Sequence, residues 1–298
     1  MTTSFTIVGL GEMLWDVFPD GPRFGGAPAN FACHAAGLGG NASMVSAVGA
    51  DELGDEALRT LTGKRVGTEH VTRLSDYPTG TVQVQIDAAG QPQYTFSEDV
   101  AWDHLDWTGA MAGLAARADA VCWGTLAQRS QTSQETIERF VAATSPHALR
   151  VFDINLRPPY VNDAAIDASL ELATVLKLND DELEVLTKRY DLSGSAADRA
   201  GQLVDKFGLR LVALSRGAAG AILREGDRVS ESPGMEVDVK DTVGAGDAFA
   251  ASLTLGLLRG SDLDAINQHA CRVAAFVCTQ SGATPTLPAE LGGVDASS

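Results

Sequence analysis

The chain has 298 residues, of which 45% are hydrophobic and 20% are charged, enough for one large globular domain with its own core. Its formal net charge of −17 and pI of about 4.6 argue against sequence-independent binding to nucleic acid, because phosphate backbones attract basic surfaces. The amino-terminal segment lacks the basic flank and apolar run of a signal peptide, and no window approaches about 18 uninterrupted apolar residues. The sequence therefore predicts a cytoplasmic protein without a membrane span.

The chain begins with alternating strand-like and helix-like segments. FTIVGLG (5–11) predicts a buried strand that ends in a turn, PANFACHAAGLG (28–39) predicts a helix, and ASMVSAVG (42–49) predicts another strand. DELGDEALRTLTGKRV (51–66) predicts an amphipathic helix, with the acidic residues in its first turn that the helix dipole favours.

A different pattern follows in TGTVQVQIDAAGQPQYTFSE (79–98), where apolar and polar residues alternate on both sides of DAAGQPQ (87–93). This alternation predicts a β-hairpin with one apolar face and a turn at DAAGQPQ. Because an isolated hairpin is marginally stable in water, we expect it to cover a cleft or to pair with other strands.

After residue 104, short apolar runs alternate with helical stretches of about a dozen residues, which predicts an α/β fold with a parallel sheet and helices on both faces. The runs are ADAVCWG (118–124), LRVFDIN (149–155), ATVLKLN (173–179) and LRLVALSRG (209–217). A second hairpin is predicted over 220–232, followed by two helices over about 246–259 and 262–280. Cys271 and Cys278 would share one face of the last helix as small buried side chains, and the four cysteines show no CxxC spacing.

Glycine-rich phosphate-binding patterns restrict the class of enzyme that the sequence can encode. The P-loop pattern GxxxxGK[ST] does not occur in the sequence. The dinucleotide pattern GxGxxG begins at Gly9 but has Leu14 in place of its third glycine, and it begins again at Gly244 but has Phe249 there. An NAD-dependent oxidoreductase is therefore disfavoured.

The segment GAGD (244–247) places a carboxylate beside a backbone nest at the start of a predicted helix. Amides in such a nest stabilise concentrated negative charge, whereas Asp247 would repel a resting phosphate. Phosphoryl transfer to an alcohol needs both groups, because a base accepts the hydroxyl proton while the amides neutralise the transferring group. The alternative is that Asp247 only caps the helix.

Two longer motifs resemble the signatures of the ribokinase-like, or PfkB, family of sugar kinases: GGAPANFACHAAGLGGNASMVSAVGADELG (25–54) and DTVGAGDAF (241–249). The resemblance extends from GLGEMLWD to GATPTLP. It implies one kinase domain over residues 1–298, with a Rossmann-like α/β core and a small β-sheet lid formed by about 13–24 and 79–102. It also implies ATP-dependent phosphorylation of a sugar hydroxyl.

The resemblance implies a role for each matching residue. Asp247 would be the catalytic base, Gly244, Ala245 and Gly246 the anion hole, and Arg157 a bridge between sugar and γ-phosphate. The implied sugar-binding positions are Asp16, Gly25, Gly26, Asn30 and Asn155, with Asp153 beside the last of these. Taken alone, Asp16 and Asn30 are also typical turn or capping residues, and Arg157 is also typical of an exposed surface.

The nucleotide and ion sites are implied in the same way. The positions near the ATP phosphates are Asn179, Glu182, Ser215, Arg216, Gly217, Gly244 and Gly246, and Glu182 would act near Mg²⁺. The NDDE motif that contains Asn179 and Glu182 equally satisfies the rules for a helix cap. The positions that match a monovalent cation site, for K⁺, are Asp241, Val243, Val277, Gln280, Gly282 and Thr286.

The segments DINLRPPY (153–160) and VAWDHL (100–105) resemble bacterial fructokinases, so fructose is the first expected substrate. A kinase for 2-keto-3-deoxygluconate, for another ketose or for a nucleoside is the alternative, and an acidic sugar would need a partner such as Arg157 or Arg23. A non-catalytic sugar-binding protein on the same fold is the alternative from a different class. A homodimer through the lid is also expected, with aromatic lid residues either packing internally or pairing between subunits: Trp15, Phe18, Phe24, Tyr94 and Phe96.

Overall fold

The structure, a computed structural model, describes residues 4–86 and 92–292. The strands are β1 (Thr6–Leu10), β2 (Leu14–Phe18), β3 (Gly21–Gly25), β4 (Asn41–Gly49), β5 (Gly67–Leu74), β6 (Gly80–Ile86), β7 (Pro92–Phe96), β8 (Ala120–Trp123), β9 (Leu149–Asp153), β10 (Val175–Asn179), β11 (Leu211–Ser215), β12 (Ala221–Glu225) and β13 (Arg228–Ser232). The helices are α1 (Ala27–Gly37), α2 (Glu52–Gly63), α3 (Gly109–Arg117), α4 (Gln131–Ala142), α5 (Asp163–Leu172), α6 (Asp180–Tyr190), α7 (Ala196–Phe207), α8 (Ala245–Leu258) and α9 (Leu263–Cys278).

Most of the strands form one large sheet in the order β13-β12-β11-β10-β9-β8-β1-β4-β5. The seven strands from β11 to β5 in this order run parallel, whereas β12 and β13 form an antiparallel hairpin at one edge. The predicted α/β class, the parallel sheet and the second hairpin are confirmed. The turn predicted at DAAGQPQ falls mainly on residues 87–91, which lie outside the described residues.

The parallel strands are apolar throughout because both faces of the sheet are covered. Adjacent residues of a strand enter different cores: Val8 and Phe152 pack with α3 to α7, whereas Ile7 and Val151 pack with α1, α2, α8 and α9. The molecule therefore has three layers, with the sheet in the middle. No helix within the described ranges is long and apolar enough to span a membrane.

The sequence analysis did not assign strand β5. Its residues GTEHVTRL are half-buried or exposed, so the segment has no apolar run. Among residues 4–86 and 92–292, β4 is the one strand that pairs with β5, which lies at the edge of the large sheet. Edge pairing, rather than apolar patterning, explains this strand.

A second, four-stranded sheet has the order β3-β2-β6-β7. Its strands come from the two segments in which the lid was predicted, and β3 continues one residue further, to Gly25. Trp102, at the end of the predicted lid, lies in the core of the main domain instead. Trp15 packs edge-to-face on Phe24 and donates a hydrogen bond from Nε1 to the carbonyl of Leu53 in α2 (3.0 Å), which joins the small sheet to the main domain.

A buried ion pair connects the other end of the small sheet to the main domain. Arg129 donates to both carboxylate oxygens of Asp103 (2.7 Å each) and to the carbonyl of Ser97, just after β7 (2.6 Å). Both charged side chains are about nine-tenths buried, with 8% exposure each. The guanidinium also lies over the ring of Trp102, 4.0 Å from its centroid. These contacts hold the base of the small sheet in a fixed position.

Replacing Asp103 by Ala leaves the charge of Arg129 buried without its partner, so we expect the free energy of unfolding to fall by about 3 kcal/mol or more. Urea denaturation measures this free energy of unfolding. Asp20→Ala is the matched control, because it removes the exposed partner of Arg23 and should change the free energy by no more than about 0.5 kcal/mol. Equal losses in the two variants would contradict a structural role for the buried pair.

Candidate active site

The carboxyl ends of the parallel strands open into a cavity of about 560 Å³ between the large sheet and the small sheet. Strands β10 and β11 contribute their last residues, Asn179 and Ser215, and the small sheet contributes Asp16, Val82 and Tyr94. This is the place where open α/β sheets bind ligands. The predicted residues that line this cavity are Asp16, Gly26, Asn30, Asn155, Arg157, Asn179, Ser215, Val243, Gly244, Gly246 and Asp247.

Asp247 lies in the first turn of α8, buried at the inner end of this cavity. Its Oδ2 accepts a hydrogen bond from Nδ2 of Asn30 (2.9 Å), and α8 has no side-chain cap. The structure therefore does not support the alternative that Asp247 only caps α8. Burial, with a smaller effect of the nearby Asp153 carboxylate, raises the pKa of Asp247 to about 6. A carboxyl group with this pKa is mostly ionised at neutral pH and is a competent proton acceptor there.

The start of α8 has the backbone geometry of an anion site. Gly244 adopts a left-handed conformation (φ 81°), and a Cβ there would lie 2.0 Å from the carbonyl oxygen of Ala283, so only glycine fits. Ala245 donates its N–H to the carbonyl of Thr242 (3.3 Å). The amides of Gly246 and Asp247 follow in the first turn, where a helix leaves its N–H groups open and its dipole attracts anions.

Lys177 is a functional candidate that the sequence analysis missed. Its register partner on the adjacent strand β9 is Asp153, and its Nζ donates to Oδ1 of that residue (3.0 Å). A Cβ at Gly246 would lie 3.0 Å from the same Nζ, so the ammonium group lies beside the start of α8. Burial disfavours the charge, but the carboxylates of Asp153, Glu182 and Asp247 outweigh it and raise the pKa of Lys177. The signal in the sequence that could have identified Lys177 is the presence of a lysine inside the apolar run VLKLN.

Four of the sugar-binding positions implied by the resemblance, Asp16, Gly26, Asn30 and Asn155, line the first cavity. Burial raises the pKa of Asp16 to about 6, although Arg157 and Arg23 oppose that shift. A Cβ at Gly25 would lie 2.9 Å from Oδ2 of Asp16, so this glycine leaves room for the carboxylate. Arg157 is exposed at the mouth, and Asn155 has a left-handed backbone (φ 42°).

Glu12 is a second missed residue of this cavity. It lies between β1 and β2 and is buried, with 3% exposure. Its Oε1 accepts a hydrogen bond from the N–H of Ala27 at the start of α1 (3.3 Å). Burial raises the pKa of Glu12 to about 7. A glutamate that directly follows a strand and a glycine was the only available signal, and it did not distinguish Glu12 from an ordinary turn residue.

The NDDE motif is a helix cap in the structure. Oδ1 of Asn179 accepts from the N–H of Glu182 (2.9 Å), and Oε2 of Glu182 accepts from the N–H of Asn179 (2.8 Å). Oε1 of Glu182 accepts from the N–H of Leu156 (2.9 Å), so both oxygens are engaged by the backbone. As found, Glu182 does not fit a direct ligand of Mg²⁺. No group of three acidic, His or Cys side chains among the described residues could hold a metal ion.

A second cavity, of about 540 Å³, lies on the other side of the start of α8. It shares Ser215, Thr242 and Gly246 with the first cavity. Its other lining residues are mostly apolar: Gly217, Ala218, Gly220, Gly234, Met235, Glu236, Val237, Val239, Ala245, Phe249, Cys271, Ala274, Ala275 and Cys278.

The structure differs from two sequence-based predictions in this region, one on the cysteines of α9 and one on Arg216. Cys271 and Cys278 do share one face of α9, but they are half-buried and line the second cavity. All four cysteines are free thiols. Arg216 lines neither cavity and pairs instead with Asp180 (3.3 Å).

The positions implied for a monovalent cation lie beside the start of α8. Asp241 accepts hydrogen bonds from the N–H groups of Val243 (3.0 Å) and Gly282 (3.1 Å), which brings these two segments together. The carbonyl of Val277 accepts from the N–H of Gln280 (3.0 Å) at the end of α9, and Thr286 is exposed. The K⁺ site remains a prediction.

Comparison with known proteins identifies similar carbohydrate kinases. The family model described as "pfkB family carbohydrate kinase" matches residues 21–290. The fructokinase of Salmonella typhimurium is 29% identical over 94% of this chain and 95% of its own length. A structure of the fructokinase of Vibrio cholerae O395 with fructose, ADP and calcium ion bound has a TM-score of 0.80 at 26% identity and covers 96% of this chain and 97% of that one. A double mutant of that enzyme with fructose, ADP and potassium ion bound has a TM-score of 0.81 at 25% identity, over 97% of each chain.

The raised pKa of Asp247 predicts a pH-dependent stability. Because the folded-state pKa of about 6 exceeds the unfolded value of about 3.8, this residue's contribution to stability is fully present below pH 3.8 and is lost as pH rises through 6. Asp247→Asn cannot ionise, so between pH 4 and 8 its free energy of unfolding should gain about 3 kcal/mol relative to the unsubstituted protein. Urea denaturation across this range measures the difference, and a difference that is independent of pH would contradict the shifted pKa.

Proposed function

The chain belongs to the pfkB family of carbohydrate kinases, and we propose that it transfers the γ-phosphoryl group of ATP to a hydroxyl of fructose or of a closely related neutral sugar. One observation supports this assignment above the others. The buried carboxylate of Asp247 and the open amides of α8 occupy the junction of a polar cavity and an apolar one. That junction is where a hydroxyl and a phosphoryl group have to meet.

In this proposal the sugar binds in the first cavity and the nucleotide base in the second. Asp247 accepts the proton of the attacking hydroxyl, and Asn30, which donates to its Oδ2, holds the carboxylate in one orientation. The amides of Gly246 and Asp247 neutralise the charge that develops on the transferring group. The apolar lining of the second cavity suits the faces of a purine ring.

Lys177 contributes a positive charge to the same step. Its ammonium lies beside Gly246 and is oriented by Asp153, so it faces the position of the transferring phosphoryl group. A buried, preorganised cation is worth more to a charged transition state than an exposed one, because the surroundings screen it less. Asp153 and Glu182 act as positioning residues, since the first holds Lys177 and the second joins the backbone of Leu156 to α6.

The charges of the first cavity favour a neutral sugar over an acidic one. Glu12, Asp16 and Asp247 are all carboxylates in its lining, and they face Arg157 and the engaged Lys177. Arg23, the other basic partner considered, is paired with Asp20 (2.8 Å) and lies over the ring of Phe18. A carboxylate on the substrate would be repelled here, which supports fructose over 2-keto-3-deoxygluconate.

The ion and assembly predictions belong to the same proposal. Because Glu182 is engaged by backbone amides, a divalent cation would enter as the counter-ion of ATP rather than on a protein carboxylate cluster. The loop around Asp241 is the candidate K⁺ site, and the double-mutant fructokinase from Vibrio cholerae with potassium ion bound supports binding of this cation, though not its location. The small sheet would act as a lid that excludes water, and would also form a homodimer interface.

The first test is sugar-dependent release of ADP by the purified protein with ATP, Mg²⁺ and K⁺. Fructose, 2-keto-3-deoxygluconate, ribose, glucose and adenosine form the panel. We expect turnover with fructose and a loss of kcat of at least about 100-fold in Asp247→Asn, because the base is removed without a change in shape. Asp205→Asn, on the exposed face of α7, is the control and should match the unsubstituted protein. If no sugar stimulates ADP release while sugar and ATP still bind, the protein is a binder and the proposal is wrong.

The second test is Lys177→Met, which keeps the length of the side chain and removes its charge. We expect kcat to fall by about 100-fold or more while the KM for sugar changes little, because the charge acts on the phosphoryl group. The affinity for a non-hydrolysable ATP analogue should fall more than the affinity for ADP, which calorimetry measures. Lys188→Met, at an exposed position, is the control. An equal loss of affinity for both nucleotides would indicate a structural lysine instead.

A further inference from the structure

The proposed transfer step assigns no role to one carboxyl group of the first cavity. Glu12 is buried, and only Oε1 has a partner, the N–H of Ala27 at 3.3 Å. Oε2 has less than 1 Å² of accessible area and has no hydrogen-bond partner within the part of the chain that the structure describes. An unpartnered buried polar atom is costly, so native proteins rarely keep one without a reason. Because Glu12 lines the cavity, the occupant of the cavity is the available partner.

A second oxygen of the same cavity is in the same situation. Asn30 uses its Nδ2 to donate to Asp247, and its Oδ1 is buried without a partner. Glu12 follows β1 and Asn30 lies on α1, so residues from two separate elements line one cavity and each carries one unpaired oxygen. Two unpaired oxygens suit an occupant with at least two hydroxyl groups at this end.

A hydroxyl suits Glu12 better than any other neutral group. With a pKa of about 7, raised by burial, the carboxyl is present in both protonation states near neutral pH. A hydroxyl both donates and accepts, so it pairs with the ionised form and with the neutral form. An anion on the occupant would face the ionised form directly, and an apolar occupant would leave Oε2 unpartnered.

The competing explanation is that Glu12 only caps α1. Gly26, at the N-cap position, has no side chain for this purpose, and the contact to Ala27 serves it. However, the cap uses one oxygen and does not account for the buried second one. We propose that Glu12 is a sugar-binding residue, in which Oε2 forms a hydrogen bond to a hydroxyl of the acceptor sugar, next to the hydroxyl bound by Asn30. This inference rests on the proposed kinase function.

The test compares steady-state kinetics of the unsubstituted protein with Glu12→Met and Glu12→Asp. Methionine keeps the volume and removes both oxygens, whereas aspartate keeps the carboxyl and withdraws it by one methylene. In both variants we expect the KM for the sugar to rise about tenfold or more and the KM for ATP to stay within about twofold. The same kinetics with a series of deoxy analogues of the sugar complete a double-mutant-type cycle. With the analogue that lacks the hydroxyl contacted by Glu12, the variants and the unsubstituted protein should have nearly equal KM values.

Ser195→Ala is the control for loss of a helix cap, because Ser195 caps α7 far from the cavity by accepting from Asp198. It should lower the midpoint of thermal unfolding without changing either KM. If Glu12→Met or Glu12→Asp behaves in the same way, Glu12 is only a cap and the inference is overturned. An equal rise in KM for every deoxy analogue overturns it too, because Glu12 then shapes the cavity without contacting a hydroxyl. If the unsubstituted protein phosphorylates no sugar, it is the kinase proposal that fails, and this inference falls with its premise.

Discussion

The rest of the site depends on the burial of several carboxylates at the ends of the central strands. Water is excluded from Glu12, Asp153, Glu182 and Asp247, so their negative charges repel one another in a weakly screening environment. The ammonium of Lys177 and the open amides of α8 are the groups that offset this charge. Burial raises the pKa values of Glu12 and Asp247, and repulsion from the neighbouring carboxylates adds to this effect. The site therefore holds buried carboxyl groups whose charged forms are disfavoured by their surroundings.

The parallel sheet is what makes this concentration of charge possible. All its central strands end at the same edge, so one polar residue per strand end is enough to build a dense cluster. The register between neighbouring strands then determines which charged residues lie side by side. Lys177 lies opposite Asp153 because β9 and β10 pair at those positions. The apolar residues on both faces of the sheet fix that register, since a shift by one residue would move every core side chain to the wrong layer.

The small sheet contributes shape and polarity rather than a second core. It has contacts to the main domain at both ends, through Trp15 on α2 and through the Arg129–Asp103 pair near Ser97. Between these attachments, Val82, Tyr94 and Phe96 line the cavity while Asp16 adds a carboxylate. Fixed ends with a lining of mixed polarity suit a cover over a sugar, whose ring faces are apolar and whose edges are polar.

Much of the fold could be predicted from the sequence, because its signals are local. The apolar runs of β8 to β11 and the helices between them follow from patterning, and GAGD predicts an anion site at a helix start. The edge strand β5 has no apolar run and could not be found in this way, since its hydrogen bonds to β4 are its main support.

The roles of individual side chains depend on contacts between distant parts of the chain. Asn30 and Asp247 are 217 residues apart in sequence and form one hydrogen bond. NDDE is compatible with a metal site and with a cap; the structure has the reciprocal cap between Asn179 and Glu182, and the distant N–H of Leu156 engages the second oxygen of Glu182. For Glu12 and Lys177 the sequence shows only an acid after a strand and a lysine within one. Their burial, and therefore their shifted pKa values and open hydrogen-bonding capacity, exists only after the sheet, α1 and α8 have packed around them.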